Sequence, residues 1–145
     1  MVVGAPDYIK ERMIYLIKMT EWRKDKYTAT QSTQNVWVDV ITFDIPSSWN
    51  YPNLRWIQFQ YHNDDGSNTE YIYIRILDGN TQVWPTEGNV KYTLGPNGTT
   101  TEKIEFVDAI QLTPGNTVRF QFMGSDSIQY INWIKMVGSR AFKVV

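Results

Sequence analysis

The sequence predicts an all-β fold: an antiparallel β-sandwich of jelly-roll type with eight to ten short strands. Three observations predict it. Apolar and polar residues alternate over most of the chain, as in strands with one buried face. Turn signals recur at short intervals, among them Asp65-Gly66, Asp78-Gly79, Gly95-Pro96-Asn97-Gly98 and Pro114-Gly115. Aromatics make up 14% of the residues, including six Trp and nine Tyr, and suit a pleated, half-buried surface. No helix–strand alternation runs along the chain, so a parallel α/β fold is disfavoured.

Taken in order, residues 1–8 read as an arm, because Gly4-Ala5-Pro6-Asp7 breaks any early element. Ile9 to Trp22 fits two patterns. Ile9, Met13, Leu16 and Ile17 share a helical face that Asp7 would cap, while Met13, Tyr15, Ile17 and Met19 share a strand face. A strand from Arg12 to Glu21 is preferred because the rest is β, which makes Trp22 to Lys26 a turn and Lys26 to Thr30 a short strand. Asn35 to Phe43 is a strand with Val36, Val38 and Val40 on one face. Asp44 to Asn53, with two prolines, is a loop.

Leu54 to Tyr61 turns Ile57, Phe59 and Tyr61 inward and Gln58 and Gln60 outward. Glu70 to Leu77 sets Ile72, Ile74 and Ile76 against Tyr71, Tyr73 and Arg75. Thr81 to Trp84 and Asn89 to Leu94 are short strands. Glu102 to Leu112 carries Ile104, Phe106 and Ile110 inward. The clearest pattern runs from Thr117 to Val137. Val118, Phe120 and Phe122 face one way, Arg119 and Gln121 the other, and a Gly-Ser-Asp-Ser turn leads to a strand from Ile128. The sandwich thus occupies residues 9–138, followed by a tail or edge strand over 139–145.

A chain of 145 residues is one domain and can bury roughly 70% of its unfolded surface without cross-links. The absence of Cys removes disulfide, zinc-thiolate and thiol-nucleophile chemistry together. The first residues do not form a secretory signal and no apolar run is long enough to span a bilayer, so synthesis in the cytoplasm without membrane insertion is expected. The charge is uneven: residues 1–26 carry a net +2, residues 27–134 a net −6 and residues 135–145 a net +3. Basic ends on an acidic body are suited to a neighbouring subunit, and the cations are too scattered for nucleic acid.

Pro114, Gly115, Phe122, Gly124, Asn132, Trp133 and Ile134 form a further pattern. A Pro-Gly turn leads to a strand ending Phe-x-Gly, then to a polar loop and Asn-Trp-Ile. Thr113 to Val137 thereby resembles the C-terminal end of carbohydrate-binding β-sandwiches of the galactose-binding-like type. The resemblance covers about 25 residues. It implies the sandwich, and sugar held by loop aromatics with an Asn shortly before the final Trp. That upstream position falls near Tyr130 in this chain, while Asn132 belongs to the last strand itself.

The candidate sugar contacts are therefore Trp49 and Tyr51 in a Pro-bounded loop, Trp84 before Pro85, and Asn132. The same aromatics suit a protein interface or a cover over the open ends of the sandwich. The outward row of Tyr71, Tyr73 and Arg75, with Arg119 and Gln121, is the candidate interface, since such long side chains can be buried against another subunit. Asp64 and Asp65 with Asn63 and Asn68 group oxygens that suit calcium. Without the spacing of a known calcium loop they are assigned to a turn held by Asx hydrogen bonds, with no metal or cofactor.

The single His62 has no accompanying nucleophile elbow, phosphate loop or metal-binding helix, so the chain is read as non-catalytic. Glu102 and Glu105 fall on opposite faces of a strand, not across a substrate. Together these features lead to a structural subunit that assembles with copies of itself or another structural protein, most concretely on a virion surface or with a capsid. A carbohydrate-binding module used for glycan attachment is the alternative.

Overall fold

The computed structural model describes residues 17–143. Ten strands run in chain order: β1 (Ile17–Lys26), β2 (Thr30–Gln31), β3 (Val38–Asp44), β4 (Asn50–Asn63), β5 (Glu70–Asp78), β6 (Thr81–Trp84), β7 (Val90–Leu94), β8 (Thr99–Gln111), β9 (Thr117–Gly124) and β10 (Gln129–Lys143). They form two five-stranded antiparallel sheets. The first has the order β1-β10-β4-β8, with β2 also on β10; the second has the order β3-β9-β5-β6, with β7 also on β5. From β3 onward the chain passes repeatedly between the sheets, which makes the sandwich jelly-roll-like.

The period-two reading of the core holds where the strands are regular. Ile57, Phe59 and Tyr61 of β4, Ile72, Ile74 and Ile76 of β5, and Val118, Phe120 and Phe122 of β9 are all buried between the layers. At roughly 25 cal/mol per Å² of apolar surface removed from water, these rows are the main stabilising term. Phe59 also meets Phe120 across the sandwich, with ring centroids 5.5 Å apart.

Bulges explain where alternation fails. The β10–β4 register shifts between Ile131 and Trp133, leaving Asn132 as the extra residue, so Ile131, Ile134 and Met136 all reach the core. In β3 a shift between Asp39 and Ile41 buries both Val40 and Ile41. Val36, expected on the inward face with Val38 and Val40, precedes β3 and is exposed. In β8 the partner of Leu54 is Ile110 and that of Trp56 is Glu105, so the residues between bow outward and Val107 is fully exposed.

Several boundaries differ from the sequence reading; over the expected short strand Lys26 to Thr30, residues 27–29 are not strand and β2 is only Thr30–Gln31. Trp22 to Lys26, expected as a turn, continues β1 opposite Gly138 to Ile134. The reason is Trp22, which is buried, donates its indole N–H to the Asn53 carbonyl at 3.0 Å and stacks on Phe43 at 4.7 Å. Asn50 to Asn53, expected in a loop, opens β4 against the end of β10. Residues 139–143, expected as a tail or edge strand, complete β10; Ser139 and Ala141 pair with β1 on one side and β4 on the other. Asn53 Oδ1 accepts from both the Ser139 N–H and its hydroxyl, which anchors that segment. The expected arm over 1–8 and the sequence before Ile17 lie outside the described residues.

Candidate functional site

The second sheet turns one face to the core, and period two puts Tyr71, Tyr73 and Arg75 of β5 and Arg119 and Gln121 of β9 on the other. Register sets Arg75 opposite Gln121 and Tyr73 opposite Met123. On the far side of β9, Asp39 of β3 also pairs with Gln121. All five predicted interface residues therefore share one face.

Their side chains are interlocked. Arg75 Nε donates to Gln121 Oε1 at 2.8 Å, and Gln121 Nε2 donates to Asp39 Oδ1 at 2.7 Å. Arg119 Nη1 donates to the other Asp39 oxygen at 2.8 Å. The Arg75 guanidinium lies 4.1 Å from the centre of the Trp37 ring. Desolvation lowers the Arg75 pKa while the Asp39 charge opposes that shift. Tyr71 and Tyr73 meet edge to face at 5.3 Å, and the Lys91 ammonium sits 4.1 Å from the Tyr71 ring centre.

Trp37, Asp39 and Lys91 were missed from sequence. A signal for the first two was present: the alternation that turns Val38 and Val40 inward puts Trp37 and Asp39 on the opposite face. Lys91 needed the pairing of Tyr73 with Lys91, which sequence alone does not supply.

The four candidate sugar contacts take different partners. Trp49 is half-buried, packed on Phe43 at 5.6 Å and covered by the Arg140 guanidinium at 4.8 Å. Trp84 packs edge to face on Phe106 at 5.7 Å. Asn132 Nδ2 donates to Gln60 Oε1 at 2.8 Å on the first sheet. Tyr51 is 69% exposed and holds a positive φ of 50°. It is the one of the four that presents an open ring.

His62 bridges the Thr99 hydroxyl at 2.7 Å and the Asp64 carboxylate at 3.3 Å. This hydroxyl–imidazole–carboxylate line lies on the outer side of a strand end, and the Asp64 side chain is 55% exposed. Two surface clefts, one below Lys24 to Lys26 and one beside the β8 bulge, both exclude it.

No protein-family model and no curated protein matches the chain. Solved structures align with it at low identity. A VP2 subviral particle of infectious bursal disease virus aligns at 8% identity and TM-score 0.48, over 88% of this chain and 33% of its own. Dimeric latent PorU from Porphyromonas gingivalis aligns at 7% and 0.49, over 86% and 13%. An isomalto-dextranase of Arthrobacter globiformis complexed with panose aligns at 14% and 0.40, over 81% and 23%. The chain spans a third or less of each of these proteins.

Proposed function

We propose that this chain is a non-catalytic structural subunit that assembles with copies of itself through the outer face of the second sheet. The finer reading is a component of a virion surface or capsid. The observation that carries the proposal is the interlocked row Trp37, Arg75, Gln121, Asp39 and Arg119 beside the Tyr71–Tyr73 pair. Tyr, Trp and Arg are the usual anchors of protein interfaces. Here they are held by one another before any partner arrives, so less ordering entropy opposes docking.

Charge favours a second copy as the partner. The face sets Arg75, Arg119 and Lys91 against Asp39, while residues 27–134 as a whole carry a net −6. A cationic face on an acidic body is complementary to other surfaces of the same chain. Residues 139–143 are committed to β10, so they do not serve as a crossing arm.

Light scattering tests the reading. The wild-type chain is expected as a stable oligomer, and Tyr73→Ala with Arg75→Glu as a monomer with unchanged circular dichroism. A glycan reading rests on the exposed Tyr51 ring. It would take over if the wild type is a monomer whose tryptophan fluorescence responds to a glycan and loses that response in Tyr51→Ala.

A further inference from the structure

The β4–β5 turn and the β9–β10 turn meet at one end of the sandwich, and each brings acid to the meeting point. Asp65, Glu70 and Asp126 each place a carboxylate oxygen within 4.8 Å of the other two. The four ion pairs formed among the described residues lie elsewhere, so no Lys or Arg there neutralises this cluster. Like charges this close are mutually destabilising unless a cation joins them.

An independent observation points to that cation. Asp126 Oδ1 accepts from the Ile128 N–H at 2.9 Å and from Gln129 Nε2 at 2.7 Å. Asp126 Oδ2 is shut off from solvent and accepts nothing, the one such atom among the described residues. A buried oxygen without a donor is costly, and native structures rarely leave one so. Buried Asp78 shows the satisfied case: it accepts from the Thr113 N–H, the Thr113 hydroxyl and Asn116 Nδ2.

We propose that Asp65, Glu70 and Asp126 hold a calcium ion that ties the two turns together, with Asp126 Oδ2 as a ligand. The donor set is all oxygen, which selects a hard cation. A span of up to 4.8 Å accommodates two calcium–oxygen distances of about 2.3–2.6 Å end to end. Ligands supplied by two turns suit calcium's tolerant geometry, whereas magnesium demands a near-regular octahedron.

The expected Asx turn is present as the scaffold. Asp65 Oδ1 accepts from the N–H groups of Ser67 and Asn68, and Asn63 Oδ1 accepts from the Asp65 N–H. The site also reaches the core: Gln129 Nε2 donates to Asn63 Oδ1, and the buried Tyr61 hydroxyl donates to Gln129 Oε1. The Tyr61 pKa is raised by burial first and then by the charges of Asp126 and Glu70, so the cluster's negative potential is felt inside.

The test is thermal unfolding of the whole chain in EGTA, in calcium chloride up to about 10 mM, and in magnesium chloride, with calcium titration by calorimetry. At about 100-fold over Kd, calcium is expected to raise Tm by roughly 5–10 °C, and magnesium by much less. Asp126→Asn keeps an oxygen for Ile128 and Gln129 and removes a repelling charge. It is therefore expected to melt in EGTA at or above the wild type while losing the calcium response. Glu70→Gln supplies a second variant with the same expected loss. A wild-type Tm indifferent to calcium, an equal response to magnesium, or a calcium response that survives both substitutions would overturn the proposal. None of these outcomes depends on self-assembly.

Discussion

Gly138→Ala probes the joint that closes the first sheet onto the second. Gly138 lies in β10 directly opposite Trp22, and the indole crosses the bare backbone there to reach Phe43. A Cβ at Gly138 would lie 2.6 Å from two carbons of the Trp22 ring and would overlap the backbone carbonyl oxygen of Asn53. Relaxed carbon–carbon contacts are about 3.5–4.0 Å, so the ring must shift by roughly 1 Å. Backbone offers no rotamer by which Asn53 could yield.

Overpacking of this kind costs about 1–3 kcal/mol. The shift also breaks the buried bond from Trp22 Nε1 to the Asn53 carbonyl, which costs about 1–3 kcal/mol more. A loss near 4 kcal/mol corresponds to a Tm lower by about 8–16 °C for a chain of this size. Urea unfolding followed by tryptophan fluorescence measures it, with Gly95→Ala as control. A Cβ at Gly95 meets nothing within 4 Å, so that variant is expected within about 1 kcal/mol of wild type. If Gly138→Ala unfolds as the control does, the Trp22 joint is wrongly described.

Other predictions concern single groups. Tyr61→Phe removes the buried donor to Gln129 and should cost about 1–3 kcal/mol in urea unfolding while leaving the circular-dichroism spectrum intact. Phe106→Ala at the base of the β8 bulge should cost about 2 kcal/mol through lost packing on Trp84, whereas Val107→Ser at its exposed tip should stay within about 0.5 kcal/mol. Burial and then the Glu102 charge raise the Tyr92 pKa. The neutral phenol is therefore favoured by folding: its contribution is full below the ordinary tyrosine pKa near 10 and is lost as pH rises toward the folded value. Urea midpoints at pH 8 and above 10 should fall less in Tyr92→Phe than in the wild type.

Legibility followed regularity. The rows at 57, 59 and 61, at 72, 74 and 76, and at 118, 120 and 122 could be read because uninterrupted strands keep period two. The outer face of the second sheet was legible as the complement of two of those rows. Asn132 was not: a bulge residue interrupts the alternation, and its Gln60 partner is far away in sequence. Trp22 sits among charged neighbours, and only its pairing with Gly138 reveals the slot it fills. The Asp65, Glu70 and Asp126 cluster joins two turns separated in the chain by five strands. Local spacing showed the Asx turn around Asp65 and did not show Glu70 or Asp126 beside it.

The most direct measurement of the central claim is the solution mass of the wild-type chain beside that of the Tyr73→Ala, Arg75→Glu variant, by light scattering at matched concentration. The account predicts an oligomer for the first and a folded monomer, with the wild-type circular-dichroism spectrum, for the second. A wild type that stays monomeric, or a variant that keeps the wild-type mass, contradicts assembly through the outer face of the second sheet.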